Sequence, residues 1–234
     1  MKKYILQIKK SVIAKNIVTL VSGNIIGYGI NTFFLLFIIR VYSPAEIGTY
    51  DLIVSDGAII TTVVGLGLVM AILIPKDDRT AKMLCQIVSI FSIICMILGT
   101  IVLIAISGKY RLFSLNFNYS WACILLAIYS YFFIQQQLFY AFVNRKGLYR
   151  VLFWNPIIMA ASNSGISLIL GLMGWSSPGY LIGTICSLLL SILLMMKNAN
   201  PYAERFSIRE LKGTLGIYKE FPLVQMPANV VSVA

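Results

Sequence analysis

The sequence predicts an all-α, multi-pass transmembrane bundle of six helices with the start of a seventh. Three observations carry this. Of 234 residues, 59% are hydrophobic and only 12% charged, with a mean hydropathy of +0.87, which excludes a soluble globule. Apolar stretches of about 20 residues recur along the chain, each long enough at about 1.5 Å per residue to cross a hydrocarbon core of roughly 30 Å. The 19 Lys and Arg are also unevenly shared between alternate connections, 16 on one side and 3 on the other. Basic residues are retained in the cytoplasm, so this asymmetry places the N-terminus inside.

The first element, residues 1–15, carries Tyr4, Ile5, Ile8 and Val12 at helical spacing among Lys2, Lys3, Lys9, Lys10 and Lys15. It is expected to be a short basic amphipathic helix on the bilayer surface. Spans are expected at about Ile17 to Ile39, Ile47 to Ile74, Met83 to Ser107, Ala122 to Val143, Val151 to Gly174 and Tyr180 to Met196. The first is too long for a signal-peptide core and lacks a small-residue cleavage site after it. Residues 16–196 therefore form the six-helix unit. Residues 197–216 read as a cytoplasmic linker in which Ser207 and Glu210 have capping-box spacing. From 217 to 234 a seventh apolar run begins with Phe221-Pro222-Leu223 and stops short of the length a crossing needs, so a truncated seventh span is expected.

The +11 net charge would raise the question of nucleic acid in a soluble chain, but membrane topology accounts for it. The chain has no His, which removes imidazole bases and His metal ligands. Cys85, Cys95, Cys123 and Cys186 sit in apolar runs without the spacing of a metal clamp or redox pair. No cofactor, metal site or nucleic-acid partner is expected. The lipid bilayer is the one partner that composition alone implies.

Polar residues inside the spans are the functional candidates, because lipid penalises them unless they face protein or water. In the second span Gly48, Asp51, Ser55, Ala58, Thr62 and Gly65 share one face as a seam of small and polar residues, with Asp56 about 140° away from Asp51. These two acids are either a solvated helix end pairing with Arg40 or ion-coupling groups. In the first span Asn24, Gly27, Tyr28 and Asn31 share a face, and Gly23 with Gly27 forms a small-residue pair. That face is either a packing seam or a polar cavity wall. The fourth carries Ser130, Gln137, Tyr140 and Asn144 in a stripe beside Gln135 and Gln136, running into Arg145, Lys146 and Arg150. The basic trio is either a topology and headgroup anchor or a dock for an anionic phosphate. The fifth is interrupted by Asn155, Pro156, Ser162, Asn163, Ser164 and Gly165, which permits a hinge. Gly179 and Gly183 mark helix packing. Asn118-Tyr119-Ser120 matches a glycosylation acceptor pattern.

Arg40-Val41-Tyr42-Ser43-Pro44-Ala45-Glu46-Ile47-Gly48 resembles the first outer loop of polysaccharide-biosynthesis flippases, the O-antigen and capsule oligosaccharide branch of the superfamily that includes multidrug and toxin extruders. Ala71-Ile72-Leu73-Ile74-Pro75-Lys76-Asp77-Asp78 resembles the second-helix exit of that family, and Tyr218-Lys219-Glu220-Phe221-Pro222 its seventh-helix opening. The chain departs at Ala45, where the family commonly has an acid, and at Leu68-Val69-Met70, where a charged or aromatic group is common.

The resemblance implies two lobes of six helices around a cavity that opens alternately to each side, with this chain as the first lobe. It implies a flippase of the bacterial cytoplasmic membrane that carries undecaprenyl-pyrophosphate-linked oligosaccharide to the outer leaflet, driven by an ion gradient and without covalent chemistry. Polysaccharide polymerase and glycosyltransferase machinery are the expected partners. On this reading Asn24, Tyr28, Asn31, Gln137, Tyr140 and Asn144 line the sugar path. Arg40, Arg145, Lys146 and Arg150 meet the pyrophosphate, and Asp51 and Asp56 couple the ion. A drug or amphiphile extruder of the same superfamily and a non-catalytic membrane subunit are the alternatives.

Overall fold

The computed structural model describes residues 2–107, 119–175, 177–225 and 227–229. It is all-helical there, and six helices are long and apolar enough to span a bilayer. The protein is a multi-pass membrane protein. The glycosylation pattern at Asn118, the outer-side residues Lys109 and Arg111, and the last five residues of the seventh run lie outside the described residues.

Helix α1, Lys2–Val41, is 40 residues long. The leader expected as a separate surface helix instead continues unbroken into the first span, since no Gly or Pro separates Lys2 from Ser22 to end it. The turn into α2, Pro44–Val64, is set by side chains. Ser43 Oγ accepts from the Glu46 N–H at 3.4 Å, and Glu46 Oε2 accepts from the Ser43 N–H at 2.8 Å. With Pro44 at the first helical position this is a capping box on a preset φ, which explains why Tyr-Ser-Pro-x-Glu sits at that turn.

The second span departs from the sequence expectation. It was expected to run unbroken to Ile74, but α2 ends at Val64 and a turn precedes the short α3, Leu68–Ala71. Leu66 (φ 52°) and Gly67 (φ 66°) are both left-handed there. Gly67 takes that φ at little cost, whereas Leu66 bears about 1–2 kcal/mol of strain. Hydropathy is blind to this break because every residue across it is apolar or Gly.

The remaining spans are α4 (Asp78–Ser107), α5 (Tyr119–Arg145), α6 (Tyr149–Leu172) and α7 (Ser177–Asn198), followed by α8 (Ile208–Ile217) and a π-helical turn, Phe221–Gln225. Helix α5 is the hub, packed against α4, α2 and α7, while α7 packs on α6 and α6 on α1. Helices α1 and α6 run parallel. A Cβ at Gly23 would lie 2.5 Å from the Phe153 carbonyl oxygen, and one at Gly27 would lie 3.0 Å from that of Pro156. The Gly23/Gly27 pair is therefore a packing seam, as is Gly183, whose Cβ would lie 2.1 Å from Ser167 Oγ. Helix α6 continues through Pro156.

On α2 the buried residues are Ile53, Gly57, Thr61 and Val64, facing α5. This corrects the expected seam. Gly48, Asp51 and Ser55 are exposed, and Gly57 makes the close approach, its Cβ position 2.5 Å from the Tyr129 ring. The azimuth of the packing face is set by where α5 lies, which the small-residue pattern alone does not encode.

Candidate functional site

Three adjoining cavities form a trough between the arm made by α1 and α6 and the hub α5 with the α2–α3 break. The largest, about 520 Å³, is lined by Asn24, Met70, Gln136, Gln137, Tyr140, Asn144, Asn155, Met159 and neighbouring apolar side chains. A second of about 210 Å³ shares Asn24, Pro156 and Met159 with it and adds Tyr28, Asn31, Asn163 and Thr184. A third of about 230 Å³ shares Val69, Met70 and Gln137 and adds Thr61, Thr62, Gly67 and Asn229. The largest falls within the roughly 300–1,000 Å³ of ordinary ligand sites.

The structure thus brings together six of the residues picked from sequence: Asn24, Tyr28 and Asn31 from α1, and Gln137, Tyr140 and Asn144 from α5. It joins to them Gln136, Asn155, Asn163 and Thr184. Every side chain lining the three cavities is neutral. The α5 stripe, however, divides. Ser130 is buried against α2 beside Gly57, and Gln135 is used structurally, its Nε2 donating to Ser89 Oγ at 2.9 Å and its Oε1 accepting from the Tyr202 hydroxyl at 2.5 Å. Gln135 lies about 160° around the helix from Gln137, so it meets α4 and not the trough.

Hydrogen bonds hold the α1–α6–α7 wall. Ser164 Oγ donates to Asn31 Oδ1 at 3.2 Å, Ser191 Oγ donates to Asn155 Oδ1 at 2.5 Å, and Thr184 Oγ1 donates to Asn163 Oδ1 at 3.1 Å. At the end bearing the Ser43 turn, Tyr42 donates to the Ser167 carbonyl at 2.7 Å, Tyr50 bonds Thr184 at 3.1 Å, and the Tyr50 and Tyr180 rings stack at 3.9 Å. This tyrosine knot was missed from sequence. Its one local signal is that all three tyrosines stand at the ends of expected spans.

The charged candidates lie elsewhere. Arg145 Nε reaches Asp78 Oδ1 at 3.2 Å and Nη1 donates to the Ile72 carbonyl at 3.3 Å, while Lys146 pairs with the other oxygen of Asp78. The Arg145 side chain is only 10% exposed. These two cations tie the α5 terminus to the α3–α4 connection, so the basic trio is a structural clamp at two of its three positions. Arg150 and Arg40 are exposed, at opposite ends of the bundle. Asp51 is exposed, Asp56 half-buried, and neither lines the trough.

At the clamp end Arg79 also pairs with Glu210 at 2.6 Å and Lys82 with Glu204. The connections 72–82, 144–150 and 197–220 therefore meet at one end, the arrangement the basic asymmetry requires. Outside the spans, hydrogen bonds from Thr80 hold the Asp77 carboxyl below its ordinary range, and those from Ser207 do the same for Glu210.

A MOP superfamily transporter from Pyrococcus furiosus superposes with a TM-score of 0.63 at 18% identity, covering 91% of this chain and 52% of that one. An outward-facing multidrug resistance MATE family transporter gives 0.62, also at 18% identity, with the same coverages. The fold resembles about half of each of these chains. A point mutant of a MATE protein matches over 91% of this chain and 53% of its own, with a TM-score of 0.58 at 18% identity. The chain spans about half the length of these structures. No family model matches it, and no curated protein matches it by sequence.

Proposed function

We propose that this chain is the first lobe of an alternating-access flippase that carries a lipid-linked oligosaccharide from the cytoplasmic to the outer leaflet of a bacterial cytoplasmic membrane. One observation carries the reading: the trough holds amides, a threonine pair and tyrosines from α1, α2, α5 and α6, and no charged side chain. Each hydrogen bond to a sugar hydroxyl is worth only about 0.5–1.5 kcal/mol net, so many such contacts recognise a glycan and still release it. The lipid tail stays in the bilayer and needs no pocket. Because Arg145 and Lys146 are committed to Asp78, the diphosphate falls to Arg150 at the clamp end and Arg40 at the other. Asp51, exposed, and Asp56, half-buried, remain the coupling candidates on α2. An N-terminus in the cytoplasm is supported by the gathering of basic connections at one end.

A second reading, extrusion of drugs or other amphiphiles, is favoured by the multidrug resistance MATE neighbour and by Met70, Leu73, Phe133 and Met159 in the trough wall. One experiment separates them. In cells carrying the full-length protein, Asn24→Ala with Gln137→Ala is expected to reduce surface polysaccharide several-fold at unchanged membrane abundance and unchanged drug tolerance. Lost drug tolerance with normal surface glycan reverses the order of the two readings. Arg150→Gln and Arg40→Gln are each expected to lower export, and normal export in both removes their assignment to the diphosphate.

A further inference from the structure

Helix α8 lies along the clamp end with its charges sorted by sign. Its start is fixed by a second capping box, Ser207 Oγ accepting from the Glu210 N–H at 3.3 Å and Glu210 Oε2 accepting from the Ser207 N–H at 2.9 Å. Leu211 and Thr214 are buried against α4, with Thr214 Oγ1 lying 3.4 Å from Met83 Sδ. Both acids of residues 197–219 turn toward the bundle, Glu210 to Arg79 and Glu204 to Lys82, and the Arg79 guanidinium covers the Phe206 ring at 5.6 Å. The bases do the opposite. Arg205, Arg209, Lys212 and Lys219 are all exposed, and none takes part in the ion pairs among the described residues.

Between the buried stripe and the basic stripe stand two apolar side chains in the open, Ile208 at 74% exposure and Leu215 at 36%. At about 100° per residue, the order around the helix is Thr214, Leu211, Leu215, Ile208, Lys212, Arg209. That sequence of bundle contact, apolar edge and cationic edge is the profile of a helix lying in the plane of a membrane interface. Its level agrees. Met83 is five residues into α4, about 7.5 Å below the charged start of that helix at Asp78, where α4 turns from charged to apolar. Interfacial helices sit roughly 5–10 Å into the boundary between headgroups and acyl chains.

We propose that α8 is a docking surface for anionic phospholipid headgroups of the leaflet at the clamp end, with Arg205, Arg209 and Lys212 as the phosphate-facing cations and Ile208 and Leu215 inserted beside them. Because Glu204 and Glu210 fasten the same segment to Arg79 and Lys82, headgroup binding bears directly on the α4 start and so on the connection that Arg145 and Lys146 clamp. Each basic residue near an anionic surface contributes about a fivefold preference, so the three together contribute about a hundredfold. This inference rests on the fold and the membrane setting, and stands whatever the cargo is.

The test is hydrogen exchange of residues 205–217 in the full-length protein, reconstituted in phosphatidylcholine with or without phosphatidylglycerol. Exchange is expected to slow several-fold when phosphatidylglycerol is present. The triple variant Arg205→Gln, Arg209→Gln, Lys212→Gln is expected to lose that difference while protection of α6 stays unchanged, and Arg209→Lys with Lys212→Arg is expected to keep it. Equal exchange in the two lipids, or a triple variant that still responds, overturns the proposal. So does equal protection by soluble glycerol phosphate in detergent, which would make the site one for a free phosphate ester.

Discussion

Helices α5 and α1 are both long, apolar and membrane-spanning, yet they are held in opposite ways. In the most apolar window of α5, 56% of residues are buried, against 11% for α1. Helix α5 is gripped on several sides by α2, α4 and α7, whereas α1 leans chiefly on α6 through two glycines. The trough lies between them. A wall gripped on several sides resists tilting, whereas one seated on a single seam tilts at lower cost. The difference predicts that the polar residues of α5 define the firmer half of the site and those of α1 the half that shifts more readily.

The sharpest way to break this contrast is to crowd both helices equally. A Cβ meets a heavy atom at 2.5 Å at both Gly57 and Gly23. Gly57→Val presses on the Tyr129 ring inside the locked hub and is expected to cost about 2–3 kcal/mol, the upper range for overpacking, read as a lower Tm. Asp78→Asn removes the partner of Arg145 and Lys146 and should cost about 1–2 kcal/mol, held down because the Asp78 carboxylate is 46% exposed. Gly23→Val should cost less in stability, about 1 kcal/mol, because α1 can move outward as a body. Its signature is easier labelling of a cysteine placed at Asn24, together with loss of the proposed export. If Gly23→Val lowers Tm as much as Gly57→Val, the movable-wall reading is wrong.

Two smaller effects sharpen it further. Gly29 on α1 has nothing within 4 Å of a Cβ, so Gly29→Ala should stabilise the helix by about 0.5–1 kcal/mol without impairing α1 docking. The smallest effect is with pH. Glu210 is held below its ordinary 4.5, so its contribution to α8 is complete above that value and is lost as pH falls through the folded-state value. Between pH 6 and 8 the exchange of α8 should therefore not change on this account, which hydrogen exchange at several pH values checks.

The site was legible in part. Asn24, Tyr28, Asn31, Gln137, Tyr140 and Asn144 could be picked from sequence because an amide or tyrosine inside an apolar run is costly wherever it faces lipid. Their mutual placement could not, since α1 and α5 are separated by many tens of residues and three intervening helices. Arg145 and Lys146 were equally conspicuous, but their partner Asp78 is more than sixty residues away, so a clamp and a phosphate dock look alike in one dimension. The Ser43-x-x-Glu46 box could have been read locally, whereas the turn at Leu66 could not, because a left-handed leucine leaves no mark in hydropathy.

Sequence alone was enough for the six helices, among the described residues, that are long and apolar enough to cross a bilayer, and for the basic connections that gather at one end. Both are properties of a single segment, its length and its charge, and a bilayer reads them without reference to any other segment. The tertiary structure alone decided which face of α2 packs, which glycines touch a neighbour, which cations are already spent and where the trough opens. Those depend on the azimuth of each helix about its own axis, and that angle is set by contacts with helices distant in the chain.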